Sequence, residues 1–191
     1  MNFIFMGYRA CGKTTVGRIM AKKLQRPFFD TDHLVQGRTG KTIREIVESR
    51  GWEAFRESER AVIAEIAGLD GCIIALGGGA VLDQRNVEKL KRKGFFFWLS
   101  ADEGTIRERL LKGQASDAQR PPLSGTDASA EIAAVLKART DIYRQLADRV
   151  VDTSRRTVEE IAAEIDDFLK VRNGDHGPSS QLFAGHEKLT R

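Results

Sequence analysis

A short segment near the N-terminus has the residue types and spacing of a phosphate-binding loop. Gly7 to Thr14 reads GYRACGKT and fits the pattern G-x-x-x-x-G-K-S/T. In such loops backbone N–H groups cradle phosphates, a lysine such as Lys13 reaches the outer phosphates, and a hydroxyl such as that of Thr14 ligates Mg²⁺. An apolar run before the segment and a helical pattern after it supply the strand and helix that this chemistry needs. The segment therefore predicts a nucleoside triphosphate site rather than a chance glycine-rich turn.

Two acids follow the second apolar run, in the sequence FFDTD at residues 28–32. In extended geometry Asp30 and Asp32 would point the same way, toward the phosphate loop. One could then hold Mg²⁺ through water while the other faces a substrate hydroxyl. The alternative is that Asp32 caps a helix beginning near His33. Because no acid closes the third apolar run, Asp30 is the better candidate for the metal side.

Glycines and arginines complete the set of candidate residues. Three consecutive glycines end the third apolar run: Gly77, Gly78 and Gly79. Glycine there permits close approach of a ligand to the backbone. Arg56, Arg120 and Arg139 carry planar guanidinium groups suited to carboxylates and phosphates. A surface ion pair is the alternative for each arginine alone, and spacing does not show that Arg56 and Arg139 converge.

The elements around these residues alternate between strand and helix. Short apolar runs predict strands at Phe3–Met6, Pro27–Phe29, Cys72–Leu76, Phe95–Leu99 and Arg149–Val151. Their lack of polar alternation is typical of a parallel sheet covered on both faces. The sequence therefore predicts an α/β protein, a three-layer α/β/α P-loop NTPase fold with a five-stranded parallel sheet. Ligands of such sheets bind at the carboxyl ends of the strands, where the candidate residues fall.

Capping patterns mark the starts of helices, because a serine or threonine followed three residues later by glutamate can satisfy the first N–H groups. Three such pairs occur: Thr42 with Glu45, Ser100 with Glu103, and Thr157 with Glu160. Each predicts a helix beginning directly after its first member.

Two polar segments interrupt the alternation of strand and helix. Residues 113–129 contain Pro121 and Pro122 and predict a mobile lid over the site. From residue 172 the composition predicts a poorly ordered tail. We therefore expect one P-loop domain at residues 1–171 and a flexible extension at 172–191.

Composition narrows the class of protein. The 191 residues, 41% apolar and 30% charged, suit one globular domain, with neither a membrane span nor a signal peptide expected. Two cysteines, Cys11 and Cys72, form no disulfide framework and favour the cytoplasm. A net charge of +4 and a pI of about 9.2 hint at nucleic acid, but the basic residues are spread along the chain. We expect a monomer that binds neither nucleic acid nor membrane.

Taken together and in order, these motifs resemble those of the shikimate kinase family. The matching pieces, between about residues 2 and 170, are GYRACGKTTVGR, FFDTD, WEAFRESER, LGGGAVL, RPPL and ARTDIYRQLAD. The phosphate loop alone is generic, whereas the joint set FFDTD, FRESE, GGG, RP and YR is specific. The resemblance implies an enzyme of aromatic amino acid biosynthesis that uses ATP and Mg²⁺ to phosphorylate the 3-hydroxyl of shikimate.

The resemblance also implies roles for the candidate residues. Asp32 would hold ring hydroxyls and orient or deprotonate the attacking one, and Arg56 and Arg139 would clamp the substrate carboxylate. Thr14 resembles the direct Mg²⁺ ligand and Asp30 a water-mediated one. The implied catalytic residues are Lys13, Asp32 and Arg120. The implied substrate-binding residues are Asp32, Arg56, Gly77, Gly78, Gly79 and Arg139. The implied ATP-binding residues are Ala10, Cys11, Gly12, Lys13, Thr14, Thr15, Arg109, Arg120 and Arg156.

Some positions depart from the family pattern. They are Ala10, Leu76 and Pro122, where many members have glycine, a hydroxyl residue and leucine. We expect Ala10 to stiffen the loop, Leu76 to remove a hydrogen bond toward the metal site, and Pro122 to stiffen the lid. Arg109 would stack on adenine with Arg156 near the same base, and Lys112 is the alternative to Arg109. Arg9 follows a variant found in part of the family and would border the substrate.

Two other classes of function share part of this pattern. Another small-molecule kinase of the same fold, such as a gluconate or nucleotide kinase, would share the phosphate loop and the lid. It would not need FFDTD together with a glycine triplet and two carboxylate-directed arginines. A non-catalytic P-loop module or regulatory switch is the second alternative, but a GTPase would carry an N/T-K-x-D motif, which the sequence lacks.

Overall fold

A five-stranded parallel sheet forms the centre of the molecule in the computed structural model, which describes residues 1–112, 128–172 and 174. The strands are β1 (Asn2–Met6), β2 (Phe28–Asp30), β3 (Ile73–Ala75), β4 (Gly94–Ser100) and β5 (Arg149–Asp152). They lie in the order β2-β3-β1-β4-β5, and every neighbouring pair is parallel. The predicted sheet is confirmed, and each strand end lies within one residue of its predicted position.

Helices cover both faces of the sheet, which confirms the three-layer architecture. They are α1 (Lys13–Leu24), α2 (Thr31–Thr39), α3 (Ile43–Ile66), α4 (Gln84–Lys91), α5 (Glu103–Lys112), α6 (Ala128–Leu146) and α7 (Val158–Arg172). Alternate residues of β1 point to opposite faces. Ile4 and Met6 join a core under α2, α3, α4 and α6, whereas Phe3 and Phe5 join a second core under α1 and α7. This layering brings the carboxyl ends of β1, β2 and β3 to one open edge.

Two of the three predicted capping pairs are confirmed: Thr42 with Glu45, and Thr157 with Glu160. The third is wrong because Ser100 is the last residue of β4 and pairs in register with β5. Asp102 takes the capping role instead, since its carboxylate accepts the N–H of Thr105 at 2.6 Å. Because β4 continues one residue beyond its predicted end, α5 begins later than predicted, at Glu103.

The predicted lid at residues 113–129 lies outside the described residues, apart from Ala128 and Ser129, which already belong to α6. Arg120 and its implied role over the phosphates therefore stay predictions. The same holds for the expected effect of Pro122.

The predicted tail at residues 172–191 also lies outside the described residues, except for Arg172 at the end of α7 and Gly174. The domain boundary at residue 171 therefore stays a prediction. Within the described part of the chain, no helix combines the length and apolar character needed to cross a membrane.

Candidate active site

The phosphate loop joins β1 to α1 through backbone conformations that favour glycine. Gly7 has a φ of 138° and Gly12 a φ of 97°. A Cβ on Gly7 would lie 2.3 Å from the carbonyl oxygen of Leu99, so the loop can pass β4 only with glycine there. Ala10 also has a positive φ of 60°, which costs about 1–2 kcal/mol for a residue with a Cβ. Glycine would adopt this left-handed conformation without that cost.

The N-terminus of α1 presents cationic and N–H groups to one place. Gly12 precedes α1 without a side-chain cap, so the first turn keeps donors for an anion. Lys13 lies in that turn with its Nζ donating to the carbonyl oxygens of Gly7 at 2.9 Å and Tyr8 at 2.7 Å. The ammonium group is therefore held against the loop that it would serve.

Asp30 connects the phosphate loop to the second strand. One of its carboxylate oxygens, Oδ2, accepts the hydroxyl proton of Thr14 at 2.6 Å. The other, Oδ1, caps α2 by accepting the N–H groups of Asp32 at 3.1 Å and His33 at 3.2 Å. The capping alternative for Asp32 is therefore wrong. Helix α2 begins directly after Asp30, so extended geometry does not relate the two acids.

Residues around Lys13 line one wide cleft, which we call the loop cleft. The implied ATP-binding residues Ala10, Gly12, Thr14 and Thr15 all line it, as do Asp30, Asp32 and Arg156. Cys11 does not, because its side chain is 1% exposed and packs into the core under α1 and α7. Only the backbone of Cys11 remains a candidate for contact with a ligand.

Arg109 of α5 reaches the loop cleft from the far side. Its guanidinium donates to the carbonyl oxygen of Ala10 at 3.3 Å and to the hydroxyl and carbonyl oxygens of Thr153 at 3.1 and 2.6 Å. Lys112 instead pairs with Glu108 on the same helix and is 75% exposed. These contacts favour Arg109 over Lys112 as the residue that faces a base.

A second cleft, which we call the arginine cleft, lies beside the first. Arg56 from α3 and Arg139 from α6 both line it, so the fold brings together two arginines whose convergence the sequence did not show. The Arg56 guanidinium lies 5.0 Å from the ring centroid of Phe55 and donates to Glu59 at 2.5 Å. Arg139 Nη1 donates to the carbonyl oxygen of Gly78 at 3.1 Å.

The glycine triplet packs against the charged side chains of this cleft. A Cβ on Gly79 would lie 2.4 Å from Arg56 Nη2. A Cβ on Gly77 would lie 2.7 Å from Asp32 Oδ1 and 2.6 Å from Glu59 Oε1. Glycine at both positions is therefore what lets these charged groups reach the cleft. Thr31, which the sequence analysis missed, fixes the triplet because its hydroxyl accepts the Gly77 N–H at 2.8 Å.

Glu59 is a second residue that the sequence analysis missed. It is 1% exposed, and burial raises the pKa of its carboxyl group while the neighbouring Arg56 opposes that rise. Glu59 falls among Phe55, Val62 and Ile66 on the buried face of α3. A charged residue on an apolar helix face needs a partner of opposite charge. Arg56, three residues earlier in the sequence, was the signal from which this ion pair could have been predicted.

In the part of the chain that the structure describes, the two clefts share three lining residues: Arg9, Asp32 and Ile43. Asp32 is 8% exposed, and Asp30 fixes its backbone from the end of β2. A molecule held by the phosphate loop and another held between the two arginines would therefore meet beside the Asp32 carboxylate. Such an arrangement suits transfer of a group between two bound molecules.

Tyr8 and Tyr143, the only tyrosines of the chain, are both buried beside these clefts. Burial raises the pKa of Tyr143, which donates to the Gly78 carbonyl oxygen, to about 12, and it also raises the pKa of Tyr8. We expect ultraviolet titration of the native protein to show Tyr143 ionising near pH 12 and Tyr8 ionising at a higher pH than in urea, where both ionise near pH 10. Because the native pKa of Tyr143 is raised, its contribution to stability is complete below about pH 10 and is lost as the pH rises toward about 12. A native titration curve that coincides with the curve in urea would contradict this burial.

Comparison with known proteins identifies the family of this chain. The family model described as shikimate kinase matches residues 9–170. The shikimate kinase of Syntrophus aciditrophicus is 47% identical over 86% of this chain and 88% of that protein, and that of Symbiobacterium thermophilum is 42% identical over 93% and 100%. A solved structure of Acinetobacter baumannii shikimate kinase in complex with shikimate superposes with a TM-score of 0.82, 31% identity and coverage of 92% and 94%. The chain belongs to the shikimate kinase family.

Proposed function

We propose that this protein transfers the γ-phosphoryl group of ATP to the 3-hydroxyl of shikimate, giving shikimate 3-phosphate and ADP. The observation that carries the proposal is the meeting of the loop cleft and the arginine cleft at Asp32. One cleft offers a phosphate-binding helix terminus, and the other offers two arginines for a carboxylate. Kinship with proteins named shikimate kinase supports the same reaction.

Shikimate carries one carboxylate and three ring hydroxyls, and the arginine cleft has matching groups. We assign the carboxylate to Arg56 and Arg139, because planar guanidinium groups bind carboxylates through paired hydrogen bonds. Both arginines are held in advance, by Glu59 and by the Gly78 carbonyl oxygen. We assign the ring hydroxyls to Asp32, and the bare backbone of the triplet gives the ring room to approach.

Phosphoryl transfer proceeds through a loose transition state in which charge gathers on the phosphoryl and leaving oxygens. Lys13 would stabilise that charge on the donor side, with Arg120 of the predicted lid as the implied second cation. Asp32 would orient the 3-hydroxyl in line with the phosphoryl group and accept its proton as the new P–O bond forms. The bond from the γ-phosphorus to the bridging oxygen breaks, and the electron pair leaves with ADP.

For the nucleotide base we assign Arg109, with Arg156 nearby. Arg109 is tied to Thr153 and to the phosphate loop, so its guanidinium plane is fixed at the edge of the loop cleft. Arg156 donates to Glu164 at 2.6 Å and lines the same cleft. A fixed planar cation suits stacking on an adenine ring.

Thr14 and Asp30 are the residues that we assign to Mg²⁺. Their oxygens lie 2.6 Å apart beside the phosphate loop, and Mg²⁺ is commonly held by few protein oxygens together with phosphates and water. The described residues contain no group of three or more His, Cys, Asp or Glu side chains that could hold a metal ion. When bound, the ion would neutralise charge on the β- and γ-phosphates.

Asp30→Asn tests this assignment. We expect the Mg²⁺ concentration for half-maximal activity to rise about tenfold, because a neutral amide attracts the hydrated ion more weakly than a carboxylate does. Thermal stability should change little, since asparagine caps helices about as well as aspartate. Shikimate-dependent ADP release at increasing Mg²⁺ concentrations measures the Mg²⁺ requirement, and thermal unfolding measures the stability. An unchanged Mg²⁺ requirement would remove Asp30 from the metal site.

Gly79→Ala tests the arginine clamp. The new Cβ would displace the Arg56 guanidinium, whose flexible side chain can move without unfolding the protein. We therefore expect KM for shikimate to rise about tenfold, since one charge-assisted contact weakens, while KM for ATP stays within twofold. Gly37→Ala on α2 is the matched control, because nothing lies within 4 Å of a Cβ there. Equal KM values for shikimate in the two variants would disprove the clash.

The direct test of function is ADP release by purified protein, measured with ATP and Mg²⁺ in the presence and absence of shikimate. We expect release to depend on shikimate and the product to carry its phosphate on the 3-oxygen by ³¹P and ¹H NMR. Gluconate and nucleoside monophosphates are the comparison acceptors. Turnover with either of these and not with shikimate would overturn the proposal.

The finer expectations on assembly and location are part of the same proposal. We propose a cytoplasmic monomer without a nucleic acid or membrane partner, on the grounds of the dispersed basic residues and the two unpaired cysteines. Light scattering of the purified chain tests the monomer.

A further inference from the structure

Arg9 occupies an unusual place in the phosphate loop, because it lines both clefts. Its Nη2 donates to Glu131 Oε1 at 2.9 Å, and its Nε donates to the Tyr8 hydroxyl at 3.2 Å. The guanidinium also lies 5.6 Å from the centroid of the Tyr8 ring. Because the guanidinium is already held at two points, binding of a ligand to it would cost little side-chain conformational entropy.

Glu131 is the stronger of the two anchors. Its side chain is 2% exposed, whereas that of Arg9 is 16% exposed. A buried carboxylate without a paired cation costs several kcal/mol, so Glu131 holds Arg9 far more firmly than a surface ion pair would. The sequence analysis did not single out Glu131, and nothing in the assigned chemistry uses it.

The position of Glu131 ties Arg9 to the wall of the arginine cleft. Glu131 lies in the first turn of α6, the helix that also carries Arg139. Beside it, Ile132 packs with Tyr8 and with Ile106 of α5 in a small apolar cluster. The loop residue and the substrate-side helix are therefore joined by an ion pair and by apolar contacts.

We propose that Glu131 is a positioning residue for phosphoryl transfer, holding the Arg9 guanidinium at the junction of the clefts so that Arg9 contacts the phosphoryl group in transit. The inference rests on the proposed function, since it concerns the same two clefts. The junction is the place where charge develops on the phosphoryl oxygens, and a cation fixed there needs no reorganisation as the reaction proceeds. Arg9 is then a cationic contact on the acceptor side of the phosphate loop, in addition to Lys13.

Four variants test this proposal: Arg9→Met, Glu131→Gln, the double variant and Asp166→Asn. We expect Arg9→Met to lower kcat about 100-fold, as removal of one preorganised donor does. Glu131→Gln should lower kcat about tenfold through misplacement of Arg9. KM for shikimate and for ATP should stay within threefold in both. Since Glu131 acts through Arg9, the double variant should be no slower than Arg9→Met.

Asp166→Asn is the matched control for loss of a buried carboxylate. Asp166 is 4% exposed and pairs with Lys23 and Lys170 between α1 and α7, outside both clefts. We expect it to lower the melting temperature and leave kcat unchanged. Glu131→Gln lowering the melting temperature with unchanged kcat would overturn the proposal, as would a multiplicative loss in the double variant. Should Glu131→Gln not fold, an unchanged kcat in Arg9→Met overturns it alone.

The same assay separates this proposal from the proposed function. Wild-type protein that releases no shikimate-dependent ADP would defeat the function itself. If the wild-type protein turns over shikimate and all Arg9 and Glu131 variants keep its kcat, as the control Asp166→Asn should, only the positioning role is defeated.

Discussion

Asp32→Asn should lower kcat about 10²–10⁴-fold while the Kd for ATP stays within threefold. Among the described residues, Asp32 is the one carboxylate that lines both clefts at their junction, so its loss affects the step between two bound substrates rather than binding of the nucleotide. Lys13 and the N-terminus of α1 hold the phosphates independently of it. Steady-state kinetics measures kcat, and calorimetry with ATP in the absence of shikimate measures the Kd for ATP.

Asp148→Asn is the control for the change from acid to amide. The Asp148 carboxylate accepts the N–H of Phe96 at 2.7 Å at the start of β4 and lines neither cleft. Its replacement should leave kcat within twofold. Near-normal turnover in Asp32→Asn would rule out the proton-accepting role, and near-normal turnover in Asp32→Ala would rule out the orienting role as well.

A further variant, Asp32→Ala, separates those two roles. Asparagine can still accept a hydrogen bond from the 3-hydroxyl, so an orienting role predicts that Asp32→Asn retains clearly more activity than Asp32→Ala. A proton-accepting role predicts that the two are equally slow, since neither side chain takes a proton. In a loose transition state the hydroxyl loses its proton late, which favours the orienting result.

The sheet was predictable from sequence because its strands are apolar on both faces. Phe3–Met6 and Phe95–Leu99 are unbroken apolar runs. Strands that are apolar on both faces are stable in water only when helices cover both faces of the sheet. The phosphate loop was predictable for a similar reason, since its glycines are demanded by local backbone conformation. Signals of both kinds lie within a few consecutive residues.

The parts of the site that depend on tertiary contacts were not predictable. Nothing in the spacing of Arg56 and Arg139 shows that α3 and α6 face each other across the glycine triplet. An extended backbone was predicted for Asp30 and Asp32 because the sequence does not show that α2 follows β2 directly, with no loop between them. Glu131 is an ordinary glutamate in sequence, and only its burial against Arg9 distinguishes it.

Arg139→Ala is the second change for which we expect a large effect, a rise of about 10- to 150-fold in KM for shikimate. That range corresponds to about 1.5–3 kcal/mol for one hydrogen-bonded charge. The Arg139 guanidinium donates to the Gly78 carbonyl oxygen on the floor of the cleft, so it is already aimed at the carboxylate when substrate enters. KM for ATP should stay within threefold, because Arg139 does not line the loop cleft.

The control for Arg139→Ala is Arg144→Ala on the same helix, an exposed arginine that pairs with Asp141 and should leave both KM values unchanged. Arg139→Lys should recover only part of the loss, because an ammonium group cannot reproduce the two parallel hydrogen bonds of a guanidinium fork. Full recovery by lysine would mean that charge alone binds the substrate. Equal losses for shikimate and ATP would mean that Arg139 supports the fold of α6 against the triplet, and the carboxylate would then belong to Arg56 alone.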